Sequence, residues 1–116
     1  MELLPLEREV LARLLAGADG ARAILRLQAE RVRVTSRELT GVGFFTQLTI
    51  PADTPRLDPS VNVGPITGIG AEIGGLRHGA GFVLFVTDGA ISVLEGYTYD
   101  EPWPATVKDF RLFAIG

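Results

Sequence analysis

Side chains able to do chemistry gather in two stretches of this chain. The only histidine, His78, stands in Arg77-His78-Gly79-Ala80-Gly81, where an imidazole on a glycine-flexed turn can give or take a proton near neutral pH. Glu72, Glu95 and Asp100 are the carboxylates able to assist it. If His78 and Glu95 meet in a pocket between a hairpin and the glycine-rich strand, they make a small acid/base or ligand-binding site. The plainer alternative is a turn histidine bonded to backbone. The second stretch, Leu94-Glu95-Gly96-Tyr97-Thr98-Tyr99-Asp100-Glu101-Pro102-Trp103-Pro104, mixes carboxylates with stiff aromatics. Glu95, Tyr97, Tyr99, Asp100, Glu101 and Trp103 together have the chemistry of a protein-docking surface, negative potential beside desolvated anchors. Trp103, held extended between two prolines, serves either as such an anchor or as a plug on the sheet edge.

Other chemistries find little support. The chain has no cysteine and one histidine, so a zinc site would draw nearly all its ligands from carboxylates; no metal and no cofactor are expected. Ser36, Ser60 and Ser92 lie outside any nucleophile-elbow pattern, and no catalytic residue is assigned. Gly68-Ile69-Gly70-Ala71-Glu72-Ile73-Gly74-Gly75 has GxGxxxG spacing, with no following Lys-Ser/Thr and no helix start. Its glycines read as strand glycines that allow close backbone approach.

Residues 4 to 17 carry a helical pattern. Pro5 suits the first turn, Glu7 and Glu9 face the positive end of the dipole, and Leu6, Val10, Leu11, Leu14 and Leu15 form an apolar face ending near Gly17. A second helix opens at Asp19, a good N-cap, and runs to about Glu30, with Ala21, Ile24, Leu25 and Gln28 on one side. Beyond Arg31 the period becomes two. Phe44, Thr46, Leu48 and Ile50 share one strand face, a proline-framed loop covers 51 to 65, and a glycine-rich strand spans roughly Ile66 to Ile73.

Asp88-Gly89 sits between two β-rich runs, the dipeptide of a two-residue type I′ hairpin. With those two as turn residues, simple alternation sets Val86 opposite Ile91, Leu84 opposite Val93 and Phe82 opposite Glu95. Glu95 then shares a face with Ile91, Val93, Tyr97 and Tyr99. Both faces of the hairpin are apolar, which predicts a central position with cover on both sides. The helices supply one cover; loop 51 to 65, the segment Phe110 to Ile115, or a second copy supplies the other. The expected fold is a single α+β domain over 1–116, an N-terminal helical hairpin packed on a mostly antiparallel sheet of five to six strands.

The 116 residues, 47% hydrophobic with a formal charge of −3, suit one globular domain and argue against disorder. No apolar run approaches the ~20 residues of a membrane-spanning helix. The acidic start MELLPLEREV is unlike a secretory signal, so a cytoplasmic protein is expected. Charge is uneven: residues 1–38 hold seven bases and six acids, whereas residues 39–116 hold four bases and eight acids. The acidic sheet half disfavours nucleic acid and suits a basic protein partner.

The segments TGVGFFTQLTIP (40–51), LRHGAGFVLFVTDGAISVLEGYTYDEPWP (76–104) and KDFRL (108–112) resemble a family of short uncharacterised bacterial proteins. Its members share near-repeats of GVGFFT, HGAGF-LFV-DG and LEG-TYDEPWP after a helical N-terminus. That resemblance implies a bacterial setting and a helix-plus-sheet fold, with no mechanism attached. By analogy with bacterial proteins of this size and acidity, the leading expectation is a non-enzymatic binding protein, in its most concrete form an immunity or antitoxin-type inhibitor of a basic toxin. A small enzyme or ligand binder at His78 and Glu95 is the alternative, and a homodimer is compatible with either.

Overall fold

The computed structural model describes residues 1–115. Helix α1 (Pro5–Leu14) opens as its proline dictates, and Glu7 at the third helical position accepts the Leu4 N–H at 2.7 Å, half of a capping box. It stops three residues short of Gly17. Its last turn tightens as Ala16 N–H turns to the Arg13 carbonyl, and Arg26 Nη1 takes the Leu15 and Gly17 carbonyls, each at 2.7 Å. Helix α2 (Gly20–Arg31) begins where Asp19 accepts the Arg22 N–H at 2.9 Å. Leu25 and Gln28 are buried on its inner side, with Ala21 and Ile24 packed beside them.

Six strands follow: β1 (Arg33–Leu39), β2 (Gly43–Thr49), β3 (Ile69–Ile73), β4 (Ala80–Thr87), β5 (Ala90–Thr98) and β6 (Phe110–Ala114). They form one antiparallel sheet in the order β1-β2-β5-β4-β3-β6. The α+β architecture is the expected one, and the β4–β5 hairpin is central in it. The glycine-rich strand is split: Ile66 bridges to Leu84, Gly68 turns with φ +112°, and only then does β3 begin.

Two bulges control which side chains face the core. In β1 the pairing steps from Val34↔Leu48 to Ser36↔Gln47, leaving Thr35 as an extra residue. In β5 it steps from Val86↔Ile91 to Phe85↔Val93, leaving Ser92 extra. Asp88 (φ 52°) and Gly89 (φ 77°) make the expected turn, and Val86 does pair with Ile91. Beyond Ser92 the simple alternation is off by one. Leu84 faces Leu94 instead of Val93, and Phe82 faces Gly96 instead of Glu95. Glu95 therefore stands with Val93 on the face away from the helices, and no longer shares a face with Ile91, which is buried. Ser92 Oγ secures the bulge by donating to the Phe85 carbonyl at 3.1 Å.

The core lies between the helices and the inner sheet face: Val10, Leu11, Leu15 and Leu25 against Phe44, Phe82, Leu84, Ile91 and Leu94. Loop 51 to 65 fastens to this same side. Gln28 Nε2 donates to the Pro55 and Gly89 carbonyls, its Oε1 accepts the Ile91 N–H, all at 2.9 Å, and Leu57 is buried. The segment from Phe110 enters the sheet as edge strand β6. The later part of the loop, residues 59–65, lines a depression with Phe85 and Val86 at the turn end of the hairpin. The helices are thus the cover on one side, as expected, and the segment Phe110–Ala114 is not the cover on the other, since it lies in the sheet at its edge.

Candidate functional site

The outer face is built from alternate residues of the central strands. Across β4, β5 and β2, Val83 pairs with Glu95 and Glu95 with Phe45; one step along, Phe85 pairs with Val93 and Val93 with Gln47. All six of these side chains are half-buried. Tyr97 lies between Gly81 and Gly43, and a side chain at Gly81 would collide with its ring. Tyr99 packs edge-on to Tyr97 at 5.6 Å. Burial first, then Tyr99 and Glu95, pushes the Tyr97 hydroxyl above the ordinary tyrosine range. The result is an apolar patch with Glu95 set among aromatics and Glu38 beside Phe45 toward the β1 edge.

The other members of the acidic, aromatic stretch go elsewhere. Asp100 is exposed and takes a left-handed conformation (φ 62°), reversing the chain after β5. Glu101 accepts the Arg77 N–H at 2.8 Å and the His78 N–H at 2.9 Å. Those two backbone donors hold its carboxyl below the usual carboxylate range. Thr98 Oγ1 donates to the carbonyls of Val42 and Glu101, and Trp103 N–H to that of Gly41 at 2.8 Å. Thus anchored, Trp103 turns to the helix side and meets Phe44 edge-on at 5.1 Å. Of the six residues the sequence groups, Glu95, Tyr97 and Tyr99 stay together, and Trp103 is on the opposite side of the sheet.

His78 is exposed and lines a shallow depression with Glu72, Arg77, Asp109 and Arg111; Glu95 is not in that lining. The carboxylate at the histidine turn is Glu101, engaged through the backbone. Among the described residues no group of three or more His, Cys, Asp or Glu side chains could hold a metal ion.

Sequence reading misses a buried charge pair on the helix side. Glu7, 1% exposed, accepts from Arg37 Nε at 2.9 Å, Arg37 Nη2 at 2.6 Å and Thr46 Oγ1 at 2.5 Å, besides Leu4 N–H. One half of it is legible: Glu7 falls on the helical stripe of Val10, Leu11 and Leu14. Arg37 carries no such signal, because it faces inward only after the Thr35 bulge. No family model, curated protein or solved structure matches the chain.

Proposed function

We propose that this chain is a non-enzymatic binding protein that docks a protein partner on its outer sheet face, around Glu95, Tyr97 and Tyr99. The observation that supports this reading is the outer face itself, where the half-buried Phe45, Val83, Phe85 and Val93 make an apolar field around Glu95, with a second carboxylate, Glu38, beside Phe45 toward the β1 edge. Docking would bury Glu95, and a buried carboxylate must meet a cation or donors. The partner is therefore a protein presenting Arg or Lys within an apolar contact. A twofold interface of two copies centred here would set Glu95 against Glu95, which favours a different, basic chain over a homodimer. A cytoplasmic immunity or antitoxin-type inhibitor of a basic toxin is the most specific form of the reading.

Co-purification from cells that make both proteins tests it. Glu95→Lys should weaken partner binding by ~2 kcal/mol or more while the melting temperature holds, whereas Trp103→Ala, on the other side, should leave affinity unchanged in whatever fraction stays folded. A folded Glu95→Lys variant that retains its partner at full affinity would overturn the proposal. The alternative of a small enzyme or ligand binder at His78 and Glu95 gains no geometric support, since the depression beside His78 is lined without Glu95.

A further inference from the structure

Between α1, the β1–β2 hairpin and the segment 103–110 lies a cavity of about 390 Å³, within the size range of small-molecule sites. Its walls include Leu6, Leu39, Phe44, Trp103 and Phe110, and its charged members are Glu7, Arg37 and Lys108.

These charges are unequally occupied. Both Glu7 oxygens already accept hydrogen bonds, from Leu4, Thr46 and Arg37. Arg37 is held as a fork by Glu7, and Nη2 also reaches the Glu2 carbonyl at 3.2 Å. Its Nη1, however, has among the described residues only the Met1 thioether, at 3.4 Å, which is a weak acceptor. Among the described residues Lys108 forms no ion pair. The lining thus combines apolar walls with one neutralised pair, whose guanidinium keeps a donor without a strong acceptor, and one surplus cation, Lys108. A buried ion pair is commonly matched or bettered in stability by apolar side chains, so holding Arg37 in place is a use for Glu7 that packing alone does not require.

We propose that this cavity binds a small amphipathic monoanion, an apolar monocarboxylic acid, with its carboxylate at Arg37 and Lys108 and its apolar body against Phe44 and Trp103. The site is on the opposite side of the sheet from Glu95 and stands independently of the partner-docking face.

Trp103 is the chain's only tryptophan, so its fluorescence reports on this cavity directly. Octanoate, octanol and octylamine share one alkyl chain and differ in head group. Titrated into the intact protein, octanoate should give a saturable emission change, octanol should bind about tenfold more weakly, and octylamine should give none. Lys108→Glu, a surface change, should weaken octanoate about fivefold with an unaltered melting temperature. Glu95→Lys should leave octanoate binding unchanged. Absence of a saturable change with octanoate, octylamine binding as tightly as octanoate, or octanoate affinity insensitive to Lys108→Glu would each overturn the assignment.

Discussion

Leu84 stands directly opposite Leu94 across the central hairpin because Ser92 occupies an extra place in β5. That single residue sends Leu94 into the core, where it is fully buried, and Glu95 to the outer face. Leu94→Ala should therefore cost about 2–5 kcal/mol. Glu95→Ala should stay within about 0.5 kcal/mol, as a half-exposed side chain with no buried partner does. Urea denaturation of the two variants measures both, and the reverse order of costs would restore the unbulged register.

Arg37 and Glu7 should behave as a coupled pair. Arg37→Met leaves a carboxylate that is 1% exposed without its counter-charge, at a cost of about 3–5 kcal/mol. Adding Glu7→Leu removes the stranded charge and should recover a large part of that loss. A double-mutant cycle with no coupling energy would contradict the pairing.

Gln28 ties α2 to loop 51 to 65 through the Pro55 carbonyl and to the Asp88-Gly89 hairpin through the Gly89 carbonyl and the Ile91 N–H. Gln28→Leu keeps most of the volume and strands the Ile91 N–H and the Pro55 and Gly89 carbonyls, a loss of roughly 3 kcal/mol. Amide exchange at Ile91 should accelerate along with the drop in stability. An unchanged Ile91 exchange rate in a destabilised variant would mean that the glutamine acts by packing alone.

Glu101 should titrate below the ordinary glutamate value of about 4.3, because the Arg77 and His78 amides bond to its ionised form. Its folded value is the depressed one. Its stabilisation of the turn is therefore complete above the unfolded value and is lost as the pH falls through the lower, folded one. Carbon-detected NMR titration reads the carboxyl directly. Glu101→Ala should abolish the corresponding acid-dependent change in exchange at Arg77 and His78, and a carboxyl titrating at or above the ordinary value would contradict the contact.

Local signals made much of the fold legible. Pro5 and Asp19 mark helix starts, Asp88-Gly89 marks the hairpin, and the alternation Phe44, Thr46, Leu48, Ile50 gives a face that is buried throughout. The misplaced facing of Glu95 and the unread facing of Arg37 have one cause. A bulge at Thr35 or Ser92 carries no glycine or proline punctuation, and is settled by the neighbouring strand rather than by the residues around it. Each moves a charge across the sheet, Arg37 inward and Glu95 outward. The divided course of the acidic, aromatic stretch was hidden for a similar reason. Its anchors at Val42, Gly41 and the 77–78 turn are distant in sequence, so Trp103 parts from Tyr97 only once the fold brings them together.

Photo-cross-linking from position 85 tests the docking face most directly. With benzoylphenylalanine in place of Phe85, irradiation of cells that make both proteins should link the chain to one basic protein. The same group at Ala12, exposed on α1, should not form that product. Products formed equally from both positions, or from position 85 only with a second copy of the chain, would contradict a heterologous partner on this face.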